Sequence, residues 1–402
     1  MVQARQMSEF GFLVSHPTGN NFVRSLLKEL ESQKKLIRFF TTIGVGYEAR
    51  FPLNRLQERR GYEIPDCKIS RNWKNEVQRL LRKGNQQSKR RWVDRSYELL
   101  DEKVASKLTE HSASVIHAYE DGAASSFQRA KELGIRRSYE LPIAHWKTVR
   151  LLLSEEAERY PEWEPTLEST REPEEKLLRK EKELSLASSI ICPSDFVRQS
   201  IPKEIRDKTP CKISPFGSPS SIPVEPKPKD LKRGPFKVLF VGSMSQRKGL
   251  ADLFKAMRIL KGEEVRLSIL GQPSMPMEFY RKQFSDFIYF PPTSNLEVTR
   301  IMQDHDALIL PSIIEGRALV QQEALSCGLP IITTPNAGGT DLIEEGMTGH
   351  LVPIRSPEII AEKIISLADN KDCLNDLKIR CQQKAKTYTW QSYARKIIDM
   401  HS

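Results

Sequence analysis

Cysteine is scarce in this chain: six residues in 402, at Cys67, Cys192, Cys211, Cys327, Cys373 and Cys381. They are scattered, none forms C-x-x-C, and no His-Cys cluster has metal-ligand spacing. That pattern argues against a disulfide scaffold and a structural zinc site, and for free thiols in a reducing cytoplasm. Long apolar runs are also missing, so no segment reaches the length that crosses a bilayer. The patch Phe10 to Val14 is too short for the core of a secretory leader, and His16-Pro17 is no cleavage site. No repeat of the 20–50 residue kind recurs, which sets aside solenoids and propellers.

What remains is a long, basic, soluble sequence. A chain of 402 residues exceeds one ordinary core and predicts two domains. Hydrophobic residues at 39% and charged residues at 29% fit a globular protein with a wet surface. The net charge of +11 is uneven: residues 50–95 hold fourteen Lys or Arg against five Asp or Glu, with Phe51, Tyr62, Trp73 and Trp92 interleaved. Three readings stay open. The stretch is a patch for an anionic membrane face or anionic lipid-linked acceptor, a nucleic-acid surface, or a solvated helical face. No stacking platform or zinc finger supports nucleic acid.

The chain opens with a strand over 11–15, a helix over 22–32 and a strand over 36–41, a βαβ start. Residues 50–110 are basic and helical in pattern. Further strands are predicted at 115–118, 139–144 (ending at His145) and 188–192. Six prolines between 214 and 235 mark a semi-rigid linker and the clearest boundary. Beyond it, strands at 238–241, 265–270, 287–290 and 307–310 alternate with helices, the signature of a parallel, doubly wound sheet. Ligands in such sheets bind at the carboxyl ends of the strands. A short amphipathic helix over 389–400 closes the sequence.

The most informative segment is PSIIEGRALVQQEALSCGLPIITT, 311–334. A strand runs into Pro311-Ser312, a loop carries Glu315-Gly316, and a helix is predicted from about Arg317 until Gly328 and Pro330. Glu315 and Glu323 then bracket a helix N-terminus whose free N–H groups suit a diphosphate. Eight helical residues rise about 12 Å, the span between the ribose and the sugar of a nucleoside diphosphate sugar. Each carboxylate can accept two hydrogen bonds from a vicinal diol. Upstream, Gly242 ends a strand and Arg247-Lys248-Gly249 is predicted to open a helix. Two cations at a helix start oppose its dipole unless an anion sits there, which points to phosphate.

These pieces resemble the retaining family 4 glycosyltransferases: VGSMSQRKG (241–249), HDALILPSIIEG (305–316), the E-x7-E pair and NAGGTDLIEEGMTGHLVP (336–353). The resemblance covers about 186–400 and, more thinly, 11–150. It implies an α/β chain with two Rossmann-like doubly wound parallel-sheet domains facing a central cleft, the GT-B fold. The domains would be 1–213 on the acceptor side and 236–385 on the nucleotide-sugar side. Residues 214–235 would link them, and 386–402 would cross back to the first domain. It implies that Lys248, with Arg247 and Gly242, grips the donor diphosphate, that Glu323 binds the ribose and that Glu315 binds the transferred sugar. Gly316 and the N–H groups of Arg317, Ala318 and Leu319 would meet sugar and phosphate. Gly19 and Asn20, in SHPTGNNFVR, would face the diphosphate across the cleft. His145 would lie near the reacting carbon, with His117 a lesser candidate. Catalytic weight would fall on His145, Glu315 and Lys248.

The implied activity is a retaining, metal-independent transfer of a sugar from a nucleoside diphosphate sugar to an acceptor hydroxyl. The setting would be polysaccharide, lipopolysaccharide or glycolipid assembly, in the cytoplasm or at the inner membrane face. No cofactor or metal is expected, and Asp304-His305-Asp306 is read as structural because it precedes a strand. Partners would be the donor, a carbohydrate or lipid-linked acceptor and an anionic membrane through 50–95, with no nucleic acid. Two departures stand out. Ser243 replaces an Arg after the strand-end Gly, and E-G-R-A-L replaces E-G-F-G-L. Arg317 would favour a charged sugar or phosphorylated acceptor, and Ala318 would crowd the donor. They motivate the alternatives of a catalytically weak sugar-nucleotide-binding protein or a GT-B sugar-nucleotide epimerase.

Overall fold

Short, apolar strands buried on both faces set the architecture, the pattern of parallel sheets covered by helices. The structure is a computed structural model and describes residues 10–48, 60–81, 86–219, 234–370 and 374–402. The first sheet comprises Phe12–Ser15 (β1), Leu36–Thr41 (β2), Ile69–Arg71 (β3), Val115–Tyr119 (β4), Arg136–Glu140 (β5), Ser189–Cys192 (β6) and Cys211–Ile213 (β7). Its order is β3-β2-β1-β4-β5-β6-β7, with every pairing parallel. The second comprises Phe236–Val241 (β8), Val265–Leu270 (β9), Phe287–Phe290 (β10), Ala307–Leu310 (β11), Ile331–Thr333 (β12) and Gly349–Leu351 (β13), ordered β10-β9-β8-β11-β12-β13. These are two Rossmann-like, doubly wound α/β lobes, the GT-B architecture. Strand order reverses between β1 and β4 and between β8 and β11, so loops 16–20 and 242–249 leave the sheets at the two topological switch points.

Four elements differ from the sequence expectation. The strand predicted over 139–144 lies earlier, at Arg136–Glu140, because Pro142 lacks the N–H a ladder needs. Leu141 and Ala144 stay buried as packed loop residues instead. The helix predicted from Arg317 begins at Leu319. The short strands β3 and β7 lacked an apolar run long enough to register.

The final helix, Trp390–Asp399, packs on the helix Asn21–Ser32 of the first lobe, with Tyr393, Ala394, Ile397 and Ile398 in one buried cluster with Phe12, Val23 and Leu27. Burying Ile397 and Ile398 contributes about 1.5–3 kcal/mol each. The Tyr393 hydroxyl donates to both carboxyl oxygens of the buried Glu140 at 2.7 Å. His117, on β4, contacts the same carboxylate through Nε2 at 3.2 Å and Ser138 through Nδ1 at 3.0 Å. His117 is therefore satisfied inside the lobe.

Tyr160 and Trp163 precede the linker in sequence, yet they belong to the core of the second lobe. Trp163 is fully buried, edge-on to Phe279 at 4.9 Å and Tyr280 at 5.7 Å.

The prolines at 223, 226 and 228 and Phe51 lie outside the described residues, as do 50–59 and 82–85 of the basic stretch. Within the rest of that stretch, Tyr62 is buried against Phe39 at 4.8 Å, whereas Trp73 is 54% exposed. Arg60, Lys68, Arg71, Arg79 and Arg95 all pair with carboxylates, which tempers the cationic surface. No helix among the described residues is long and apolar enough to cross a membrane.

Candidate functional site

β8 ends at Val241, and the N–H of the next residue, Gly242, donates to the Leu270 carbonyl at 3.0 Å. Arg247 and Lys248 then lie in a single 3-10 turn, Gln246–Lys248, ahead of the helix Leu250–Ile259. The sequence placed them at the helix start; Gly249 separates the two, holding a left-handed φ of +74°. A Cβ at Gly249 would sit 2.0 Å from the Pro311 carbonyl oxygen, so only glycine lets this turn press against the loop after β11. The Arg247 carbonyl accepts from Ile313 N–H at 2.9 Å, which stitches this turn to the loop after β11.

That stitching brings three predicted residues to one point. Lys248 Nζ lies 2.6 Å from Glu315 Oε1, and Arg247 Nη1 lies 2.5 Å from the same oxygen. Lys248 is almost fully buried, and burial, with the Arg247 charge, lowers its pKa against the opposing pull of Glu315. One carboxylate oxygen thus gathers two cations into a basic lip. Gly242 flanks this lip: a Cβ there would lie 3.4 Å from Lys248 Cε.

The helix Leu319–Ser326 begins beside the lip with no side-chain cap and no acid in its first turn. Its positive end is therefore open to an anion. Four of the eight steps from Glu315 to Glu323 are loop, so the helical span reasoned from sequence does not apply. Of the three N–H groups expected to meet sugar and phosphate, that of Ala318 donates instead to Ala337 at 3.2 Å. Arg317 is turned inward. Its Nη1 donates to Asp341 at 2.7 Å and to the Gly338 carbonyl at 3.1 Å, and its guanidinium stacks over Tyr388 at 5.0 Å. The cation expected to select a charged sugar is thus spent on bracing the loop. The Glu323 carboxylate makes no hydrogen bond or ion pair among the described residues, and burial raises its pKa.

The first lobe meets this loop at Gly316. A Cβ at Gly316 would sit 1.7 Å from the Pro142 carbonyl oxygen, and the Gly316 carbonyl accepts from the Ser194 hydroxyl at 2.6 Å. Ala144 packs with Ile313 and Ile314 across the same seam. Leu319 packs on the apolar cluster that also holds Phe22, which brings the loop of Gly19 and Asn20 toward the start of helix 319–326. Asn20 is the cap position of helix 21–32 and is exposed, with its side chain making no cap bond. His145 caps the helix Trp146–Arg159, its Nδ1 accepting from Lys147 N–H at 3.4 Å. Its buried Nε2 has no hydrogen-bond partner among the described residues and lies 3.5 Å from Glu181. No contact joins the His145 ring to Lys248 or Glu315 among the described residues.

The structure therefore gathers Arg247, Lys248, Glu315 and Gly316–Leu319 at one seam and leaves Glu323 and His145 at its margins. Sequence reasoning missed Pro142, Ser194 and Gln246, which build the seam. Ser194 sits just after a predicted strand, the one signal that could have flagged it, whereas Pro142 falls inside the strand predicted over 139–144. Asp306 accepts from the Lys237 N–H at 2.9 Å at the amino end of β11, away from this site.

Residues 235–370 match the family described as glycosyl transferases group 1. The chain is 28% identical over 170 residues to D-inositol 3-phosphate glycosyltransferase of Paenarthrobacter aurescens, a match covering 40% of this chain and 42% of that one. It thus spans about two-fifths of that relative's length. It is 22% identical over 380 residues to the amylovoran biosynthesis glycosyltransferase AmsK of Erwinia amylovora, covering 88% of each. Among solved structures, Anabaena HepE in complex with UDP shares the fold with a TM-score of 0.62 at 14% identity, over 97% of this chain and 99% of that one.

Proposed function

We propose, on the premise that residues 235–370 belong to the glycosyl transferases group 1 family, that this chain transfers a sugar from a nucleoside diphosphate sugar to an acceptor hydroxyl. The observation that carries the reading is the basic lip. Lys248 and Arg247 converge on Glu315 within 2.6 Å, beside an uncapped helix N-terminus and at the seam between lobes. Such a lip stabilises the charge that grows on a departing diphosphate, which is the main source of acceleration expected in this chemistry. Closure of the seam around Gly316 would exclude water so that transfer outruns hydrolysis.

The finer reading is a retaining, metal-independent reaction. The bond from the anomeric carbon to the diphosphate oxygen breaks, and its electron pair leaves with the diphosphate. The acceptor oxygen bonds to that carbon from the same face, and its proton passes to the leaving oxygen. Glu315 Oε2 and the N–H groups of Arg317 and Leu319 would bind the sugar, Glu323 the ribose, and Gly19 and Asn20 the diphosphate from the first lobe. His145 would sit near the reacting carbon. The UDP complex of HepE supports a nucleotide sugar donor, and the part of AmsK in amylovoran biosynthesis supports polysaccharide assembly as the setting. We place the work at the inner membrane face, with 50–95 toward anionic lipid.

Transfer by the purified chain, with donor and acceptor screens, tests the reading. Lys248→Ala should lose two to three orders of magnitude in turnover, about 2.7–4 kcal/mol. Wild-type rates in both Lys248→Ala and Glu315→Ala would refute it. Turnover that survives chelation of divalent ions, and a product of unchanged anomeric configuration by NMR, test the finer claims.

A further inference from the structure

Gln246 precedes the two cations of the lip, and every polar group it carries is engaged. Its Nε2 donates to Glu156 at 2.6 Å and to Asp252 at 2.9 Å, while its Oε1 accepts from Ala251 N–H at 2.8 Å. Its N–H donates to the Thr166 hydroxyl at 3.1 Å, and its carbonyl accepts from Gly249 at 2.9 Å. Gln246 and Glu156 are fully buried. Glu156 in turn accepts from Arg355 Nε at 2.5 Å and from Arg159 at 3.1 Å, and Asp252 accepts from the Tyr160 hydroxyl at 2.8 Å.

Glu156, Tyr160 and Thr166 all precede the linker, whereas Gln246, Asp252 and Arg355 follow it. A buried polar hub of this kind is rigid because each member loses a partner if any other moves. The Trp163 indole, seated in the second core, fixes the arm that carries Thr166. From Gln246 the backbone has one residue to reach Arg247 and two to reach Lys248.

We infer that Gln246, locked by Glu156 and Thr166 from the first half of the chain, is the positioning residue for the Arg247–Lys248 lip. The diphosphate site of the second lobe is then built by both halves of the sequence. This rests on the reading of the lip as a nucleoside diphosphate grip and adds a determinant of its geometry.

Calorimetric titration of the full chain with uridine diphosphate and guanosine diphosphate tests it, with each variant shown folded by circular dichroism. Gln246→Ala and Thr166→Val should raise Kd about tenfold, the upper scale of one lost hydrogen bond. Thr166→Ser keeps the hydroxyl and should bind like the unmodified chain. Leu367→Ala, in the remote core of the second lobe, serves as the destabilised control. A Kd in Gln246→Ala and Thr166→Val no higher than in Leu367→Ala, with binding abolished by Lys248→Ala, overturns this inference and leaves the functional reading standing. Failure of the unmodified chain to bind either nucleotide overturns both.

Discussion

The Ser194 hydroxyl, on the first lobe, donates to the Gly316 carbonyl on the second at 2.6 Å, and the same glycine abuts the Pro142 carbonyl. Two groups of one lobe therefore read the backbone of the loop that carries Glu315. A methyl at 316 would overlap the Pro142 oxygen. Gly316→Ala should lower stability by about 1–3 kcal/mol, or force the seam apart. In either case donor turnover should fall at least tenfold, measured beside urea unfolding. A variant that unfolds and turns over like the unmodified chain would show that the contact is dispensable.

Glu323 should behave in the opposite way to a residue that holds the fold together. Burial raises its pKa and no partner compensates the charge. Because the folded chain holds this proton more tightly than the unfolded one, its share of stability falls as pH rises through the folded pKa. Glu323→Gln should leave stability at pH 7 unchanged or slightly higher. If the carboxylate binds ribose, the same change weakens nucleotide binding by about 1.5–3 kcal/mol. Thermal melts and titrations on one preparation separate these effects.

Acid should destabilise the chain through its neutral, buried histidines. Burial holds His145 down at about 4, with Lys147 and Lys180 also lowering it against the pull of Glu181. His401 is held at about 4 and His16 at about 3 by burial. An unfolded histidine titrates near 6.5, so between about pH 6.5 and 4 the unfolded chain binds more protons. Stability from the neutral rings is complete above that window and is lost as pH falls through it. His145→Asn keeps a helix cap and removes one titration, so the urea midpoint should depend less steeply on pH. An unchanged slope would mean that His145 does not titrate as its burial demands.

Tyr393→Phe removes one donor from Glu140 and leaves its carboxylate facing His117 and Tyr119. Losing a hydrogen bond to a buried charge costs about 1–3 kcal/mol. The loss should register in the unfolding of the first lobe, although residue 393 follows every strand of the second. Hydrogen exchange of the β4 and β5 amides reports it directly. Unaltered protection there would detach the final helix from the first lobe's stability.

Much of the architecture was legible because it is local. The apolar runs of β1, β4, β8, β9 and β11 are bounded by turn residues. The cations of the lip follow a strand-end glycine at fixed spacing. What escaped depends on partners far away in sequence. Arg317 reads as a cation beside a ligand until Asp341 and Tyr388 are seen to hold it. Gln246 reads as a loop residue until Glu156, ninety positions earlier, is placed against it. The Ala318 amide reads as free until Ala337 takes it. The shift of β5 arose from weighing hydrophobicity over proline: Leu141 and Ala144 are buried, as their character demands, but in a loop.

The seat of the final helix has a kinetic consequence. The first lobe's apolar surface around Phe12, Val23 and Leu27 has no cover until Tyr393, Ile397 and Ile398 leave the ribosome. At about 5–20 residues per second, translation of the intervening second lobe takes of the order of ten seconds or more. Through that interval the nascent lobe shows that apolar face to solvent. Shortening the chain by its last dozen residues would make that temporary exposure permanent.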